Sequence, residues 1–302
     1  MLVCELLDLF DMTYMQGRLK PSTIRGYRVN FKHINKYLGE NVLESIDYAH
    51  LDTLVSNLRV EGLNNTSIRY VLAVLRKAFN FAVKRGYMDR NILLSYDIPR
   101  PSKFLYSVLN EHQLNKLCHY LSGDDIYPCV LLAGFYGMRK GEILGLRRTD
   151  FYYDENTQQY IITVKRTIVD SRGYRDITSV KNSYSTRKIL ISKSHSINLK
   201  TYIQDRDKIL CDIFIVCDRC GNYVSTNQLT YRFKKALEFL GLPNIRFHDL
   251  RHSYATFMLR AGVHPKIVSS VLGHSDISTT LDIYSHTDLS MQSACIDVID
   301  QI

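Results

Sequence analysis

His248-Asp249-Leu250-Arg251-His252-Ser253-Tyr254-Ala255-Thr256 is the stretch from which the rest of the chain can be read. His248 and Arg251 stand three apart in a segment that continues apolar at Leu250, Tyr254, Phe257 and Met258. Residues i and i+3 share one helix face, so an imidazole and a guanidinium point the same way. An arginine near a helix start, beside a histidine, offers donors to an anion, and phosphate is the natural candidate. Two other readings stay open on these residues alone. His248 and His252 are four apart and can be ordinary surface or core histidines. They can also form a zinc pair, since H-x-x-x-H on a helix chelates that metal. Against zinc, Asp249 stands where the metalloprotease motif has its glutamate base, and no third ligand follows at short spacing.

Working outward, the chain of 302 residues is long enough for two domains, and its 45% apolar and 23% charged content is that of a globular protein. No run of eighteen apolar residues suggests a membrane span. The acidic, amphipathic start at Met1–Asp8 lacks the basic n-region and unbroken apolar stretch of a signal peptide, so a cytoplasmic, nucleoid-associated protein is expected. The net charge of +9 favours a polyanionic partner. Seven scattered cysteines fit reduced thiols rather than a disulfide framework. Cys217-Asp218-Arg219-Cys220 is a lone C-x-x-C with no second pair to complete a zinc knuckle, and reads as a β-turn.

Apolar spacing predicts helices over residues 3–16 and 21–38, the first ended by Gly17 and the second by Gly39. Arg25, Arg28, Lys32, His33 and Lys36 line the polar face of the second, a surface that can track phosphates or simply face water. Asp47 caps a third helix and Asn64 a fourth, which carries Arg69, Arg76 and Lys77 beside its apolar stripe. Residues 1–90 are thus expected to form an all-helical bundle, and 91–104, with Pro99, Pro101 and Lys103, a basic linker. From residue 105 a second, mixed α+β domain follows. It opens with a helix capped by Asn110, then a buried helix at 127–135, broken and restarted around Gly137-Met138-Arg139-Lys140-Gly141-Glu142. Arg139 and Glu142 are i,i+3: Glu142 either orients the guanidinium or makes a plain helical pair worth about 0.5 kcal/mol. Strand segments at 160–164, 166–169 and 187–191 promise a small antiparallel sheet, with Lys181 at a turn. Helices at 195–210 and 226–240, short ones from His248, His264 and Ser275, and an amphipathic tail helix at 288–299 complete the chain.

Arg139 in Gly-Met-Arg-Lys-Gly-Glu, His248-x-x-Arg251, Leu272-Gly273-His274, and Tyr284 in Ile283-Tyr284-Ser285-His286, in this order, closely resemble the tyrosine recombinases or phage-type integrases. The resemblance covers both domains. With 21 tyrosines in the chain, it is the resemblance and not the spacing that singles out Tyr284. It implies an all-α core-binding domain at 1–90 and a catalytic domain at 105–302. It further implies a reaction in which Tyr284 attacks a DNA phosphate to give a 3′-phosphotyrosine and a free 5′-hydroxyl, conserving the bond energy for religation. A tyrosine with a pKa of about 10 needs a base, and His248 takes that role. Arg139 and Arg251 clamp the non-bridging oxygens, His274 donates to the phosphate, and Lys181 protonates the leaving oxygen, with Lys165 and Lys188 as neighbouring candidates. No metal or other cofactor is expected, since the arginine pair and the lysine supply the positive charge a magnesium ion would give.

The implied partner is double-stranded DNA, held by a clamp of the two domains, with Arg25, Arg28, Lys32, Arg69, Arg76, Lys77 and Lys103 as contact candidates. A homotetramer on paired sites is expected, its tail helix docking on a neighbouring copy or packing in cis, with an excision accessory factor as a further partner and no membrane. Integration and excision of a mobile element is the expected role. Alternatives are a recombinase that resolves chromosomes or plasmids, a type IB topoisomerase-like relaxing enzyme, a DNA-binding module without catalysis, and a zinc hydrolase. Integrases of phages and conjugative transposons usually carry an N-terminal arm-binding domain. This sequence opens directly on the bundle, which is expected either of a fragment or of the simpler recombinases.

Overall fold

A computed structural model of the chain describes residues 1–101, 107–171, 174–179, 186–207, 214–218 and 220–273. The chain divides into two compact units, Met1–Leu105 and Tyr106–Ile302.

The first unit is helical among its described residues. Its elements are α1 (Val3–Phe10), α2 (Pro21–Leu38), α3 (Tyr48–Val60) and α4 (Asn65–Lys84). Each start has a local cause. Pro21 occupies the first turn of α2, where its missing N–H costs nothing. Asp47 accepts from the His50 N–H at 3.0 Å, and Asn64 from the Ser67 N–H at 2.9 Å. The helix expected over 3–16 is α-helical only to Phe10 and widens into a π turn at Asp11–Met15. Within that turn the Thr13 hydroxyl donates to the Leu9 carbonyl at 2.6 Å, a side-chain competitor for the helical acceptor. The apolar stripes close on one core that includes Phe10, Phe31, Leu54, Leu72 and Phe79.

The second unit mixes helices and strands: α5 (Glu111–Tyr120), α6 (Tyr127–Tyr136), α7 (Lys140–Leu144), β1 (Phe151–Asp154), β2 (Gln159–Val164), β3 (Arg166–Ser171), β4 (Tyr174–Ser179), β5 (Arg187–Leu190), α8 (Lys193–Asp207), α9 (Thr226–Phe239), α10 (Asp249–Arg260) and α11 (Pro265–Leu272). Helix α6 is buried at every position from Tyr127 to Gly134, as its nearly continuous apolar run requires. An antiparallel sheet in the order β1-β2-β5 shares one hydrophobic core with it through Tyr160, Ile162, Val164 and Ile189, and β3 and β4 pair separately. The sequence did not single out β1 or β4. The first has only four residues, and the second, Tyr-Arg-Asp-Ile-Thr-Ser, has no apolar alternation, so its pairing with β3 is what makes it a strand. Where the sequence suggests a turn at Cys217–Cys220, the Gly221 N–H donates to the Asp218 carbonyl at 3.0 Å and Cys217 bridges to Tyr223, while Arg219 lies outside the described residues. Lys181, Lys103, the 288–299 segment and the helix expected from Ser275 lie outside the described residues. Among the described residues no helix is long and apolar enough to cross a membrane.

Candidate active site

The site is assembled where α6 ends, α7 begins, β5 starts and α11 stops. Helix α6 terminates at Gly137, whose left-handed φ of 63° turns the chain sharply. A Cβ there would lie 2.4 Å from the Leu272 side chain and 2.6 Å from the Tyr254 ring, so glycine is required on two counts. The segment does not simply restart as helix. Arg139 is extended (φ −75°, ψ 145°) and is the residue before the first turn of α7. Glu142, the third residue of α7, reaches back and accepts from the Arg139 N–H at 2.9 Å, a helix-capping bond.

Glu142 is only 2% exposed, yet it is ionised and heavily engaged. Arg139 Nη1 donates to its Oε1 at 2.9 Å. Arg187, on β5, adds a fork: Nη1 to Oε1 at 3.1 Å and Nη2 to Oε2 at 2.8 Å. Burial by itself would raise the carboxyl pKa, but the Arg187 pair and then Arg139 overturn that and hold it below the usual range. The Arg139–Glu142 contact expected from spacing is therefore one arm of a buried, shared carboxylate.

Arg251 is 3% exposed and pinned by backbone: Nη1 donates to the Gly137 carbonyl at 2.6 Å and Nη2 to the Leu272 carbonyl at 2.7 Å. Burial, reinforced by the Arg139 and Arg187 charges, pushes its pKa down to about 9. Arg139, Arg187 and Arg251 face a single carboxylate, so these four side chains together carry an excess of positive charge. Each guanidinium offers five N–H donors. The bonds above leave donors on Arg139 and Arg251 for an anion, and Arg139 keeps 38% of its side chain exposed.

His248 immediately precedes α10 and remains accessible. The crowding around it, then the Arg251 charge, lowers its pKa below 6.5, so its neutral form is favoured. Its neighbour Asp249 is buried and committed to Arg246, whose N–H it accepts at 2.7 Å and whose Nη2 it accepts at 2.8 Å. His252 meets the His248 ring edge to face, with centroids 5.2 Å apart, and burial followed by His248 pushes its pKa to about 4. Among the described residues no three His, Cys, Asp or Glu side chains converge to hold a metal ion. Tyr254 is 7% exposed, and burial raises its hydroxyl pKa; it packs with Ala255, Leu259, Val268 and Leu272 as a core residue.

The lysines near the sheet separate on geometry. Lys165 lies 3.4 Å from the Asp150 carboxylate. Lys188 is exposed and adjacent in sequence to Arg187; successive strand side chains point to opposite faces, which turns it away from the arginine cluster. Lys181, His274 and Tyr284 lie outside the described residues.

Arg187 was legible in the sequence only as strand. The structure puts Arg187 in the inward-facing register of β5, with Ile189 buried and Lys188 and Leu190 exposed, a register that the adjacent apolar pair Ile189-Leu190 hides in the sequence. The backbone carbonyls of Gly137, Val271, Leu272 and Gly273, which hold the arginines, have no counterpart in side-chain spacing.

In the first unit the basic stripe of α2 is interrupted. Arg28 is held by Asp11, with Nε 2.6 Å from Oδ2, and Lys36, His33 and Tyr37 all reach Glu61. Arg25 and Lys32 are exposed, Arg76 is half-buried, and Arg69 donates to the Pro99 carbonyl at 2.9 Å. Lys77 donates to the Tyr27 hydroxyl at 2.5 Å. There a concave pocket of about 340 Å³ is lined by Lys77 together with Arg18, Lys84, Arg85, Tyr14 and Phe81. Lys84 and Arg85 are the last of the basic residues that accompany the apolar stripe of α4 in the sequence, whereas Arg18 follows the π turn and lies on no helix.

Comparison with known proteins agrees with this arrangement. Residues 107–291 match the phage integrase family and residues 7–86 its N-terminal SAM-like domain. A XerC-like tyrosine recombinase of Caldanaerobacter subterraneus subsp. tengcongensis is 27% identical over 97% of this chain and 81% of its own. The integrase of Staphylococcus phage L54a is 26% identical over 90% of this chain and 84% of its own. The Tn1549 transposon integrase, solved with transposon right end DNA, superposes with a TM-score of 0.85 at 20% identity, covering 99% of this chain and 100% of that one. Lambda integrase, solved as a tetramer bound to a Holliday junction, gives 0.69 at 18% identity, with 91% and 78% covered. An arginine cluster short of negative charge, beside a neutral histidine and in a chain matched along both its units, is thus that of a member of the phage integrase family, the tyrosine recombinases, which break and rejoin DNA.

Proposed function

We propose that this chain is a site-specific recombinase that integrates and excises a mobile element through a 3′-phosphotyrosine formed by Tyr284. The observation that carries the reading is the cluster of Arg139, Arg187 and Arg251 around one buried carboxylate, with donors to spare on Arg139 and Arg251. Such pinned guanidiniums suit a phosphate that gains charge as it is attacked, because they need little reorganisation when that charge develops. In this scheme the Tyr284 oxygen bonds to phosphorus as the bond from phosphorus to the 5′-oxygen breaks. His248, kept neutral near pH 7 by its surroundings, accepts the tyrosine proton. Lys181 protonates the leaving 5′-oxygen, and His274 donates to the phosphate. Arg139 and Arg251 hold the non-bridging oxygens, and Glu142 orients Arg139.

Residues 1–90 act as the core-binding domain, 91–104 as the linker and 105–302 as the catalytic domain. Double-stranded DNA is the partner, met by Arg25, Arg28, Lys32, Arg69, Arg76, Lys77 and Lys103, and the enzyme works where the nucleoid is. Arg28 ranks lowest among these contacts because Asp11 holds it. Assembly into a tetramer is supported by the lambda integrase tetramer on its junction. The mobile-element role is supported by the Tn1549 and phage L54a integrases, while the Xer-type relatives favour a second reading, resolution of chromosomes or plasmids.

The test is covalent trapping on a nicked duplex carrying a half-site selected from a random library by binding to the full chain. A denaturant-stable adduct is expected with wild type and not with Tyr284→Phe. An adduct that survives in the variant, or none with wild type, overturns the mechanism. Deleting the gene separates the two roles: loss of an excised circle supports the element, whereas accumulation of chromosome or plasmid dimers supports resolution.

A further inference from the structure

Three consecutive carbonyls at the end of α11 each receive a different arginine. Arg187 Nε donates to Val271 at 2.8 Å, Arg251 Nη2 to Leu272 at 2.7 Å, and Arg139 Nη2 to Gly273 at 2.7 Å. The last carbonyls of a helix have no partner within it and sit at the negative end of its dipole, so cations are favoured there. Gly273 closes the helix with a left-handed φ of 66°, and a Cβ on it would stand 3.4 Å from Arg187 Nη1. The residue that follows in sequence is His274.

We propose that Arg187 is a positioning residue for strand cleavage, fixing the phosphate clamp from behind. It rests on the reading in which Arg139, Arg251 and Tyr284 act on a DNA phosphate. Its own side chain is 9% exposed, and all three of its nitrogens donate to the protein, two to Glu142 and one to Val271. That commitment sets it apart from Arg139 and Arg251, which keep donors for substrate. Arg187 has two effects. By sharing Glu142, it keeps the carboxylate from being spent on Arg139 alone, so Arg139 retains charge for the phosphate. By holding the Val271 carbonyl, it fixes the end of α11, whose next two carbonyls steer Arg251 and Arg139 and whose chain leads to His274. A lysine cannot reproduce this, because an ammonium has no planar fork to span Glu142 and a carbonyl together.

The test compares wild type, Arg187→Lys and Glu142→Gln in the full chain, with Arg139→Lys and Tyr284→Phe as controls. Single-turnover adduct formation is measured on the selected nicked half-site, and on the same duplex with a methylphosphonate at the scissile position. The methyl group removes the charge that the clamp exists to hold. Arg187→Lys is expected to slow cleavage of the ordinary phosphate by about 10–100-fold, the cost typical of losing a group that orients a ligand, with DNA affinity within about threefold of wild type. On the methylphosphonate the defect should shrink to within about threefold, as it should for Arg139→Lys. Unchanged cleavage by Arg187→Lys overturns the proposal. So does an equal loss on both substrates accompanied by a lowered melting temperature, which marks a purely structural role. Failure of the underlying reading looks different: wild type then forms no adduct, or Tyr284→Phe keeps it.

Discussion

Arg28 and Arg251 are both arginines that a sequence reading assigns to DNA, and their surroundings could hardly differ more. Arg28 is on the surface of α2, with 54% of its side chain exposed and one aspartate to itself. Arg251 is 3% exposed, held by two backbone carbonyls, and shares a single carboxylate's field with two other arginines. The first is a satisfied pair, screened by water and salt. The second is a fixed charge with no carboxylate of its own. What marks a site is thus the ratio of cations to anions within a buried neighbourhood, and how firmly the backbone holds them. A count of basic residues along a face does not reveal it.

Removing the buried member should break the comparison most severely. Arg251→Lys is expected to lower single-turnover cleavage by about 10²–10³-fold, since an ammonium cannot hold both carbonyls and still present donors to a phosphate. Rapid-quench assays on a nicked half-site check this; cleavage near the wild-type rate would mean that Arg251 is a structural strut.

Acid probes the same neighbourhood through the histidines. The folded state keeps His248 and His252 below the ordinary 6.5, with His252 at about 4. Between pH 6.5 and 4 the unfolded chain therefore binds more protons than the folded one. The stabilising contribution of these groups is complete above pH 6.5 and is lost as pH falls toward 4. Denaturation followed at pH 7, 5.5 and 4.5 should show this decline, and His252→Gln should make it shallower. In the proposed mechanism cleavage needs neutral His248, and it should fall only at a pH below 6.5.

The smallest effects belong to the exposed side. Lys77→Ala should weaken DNA binding several-fold and reduce the slope of log K against log salt by about 1, the signature of one lost phosphate contact. Arg28→Ala should leave affinity within about twofold, because Asp11 already occupies it. Salt titrations by fluorescence anisotropy check the two variants side by side. Equal losses would place Arg28 among the contacts and erase the distinction between paired and unpaired charge.

Periodicity and caps were enough to read most helices. Pro21, Asp47, Asn64, Asn110 and Ser225 each sit where a helix begins, because a start depends on a few neighbouring residues. The π turn after α1 and strand β4 were not legible in this way. One turns on a competing hydroxyl, and the other on a partner strand.

By itself, the sequence determined the two-part order of the chain, the helix starts, and the motif order that leads to Arg139, His248, Arg251, His274 and Tyr284. Those features are local, or are carried by residue identity. Only the tertiary structure decided that Glu142 serves two arginines, that Arg187 is the second, and that Val271, Leu272 and Gly273 each receive one. It also decided that Arg28 is already paired. These facts depend on which distant residues meet, and on backbone carbonyls that every residue carries and no sequence pattern distinguishes.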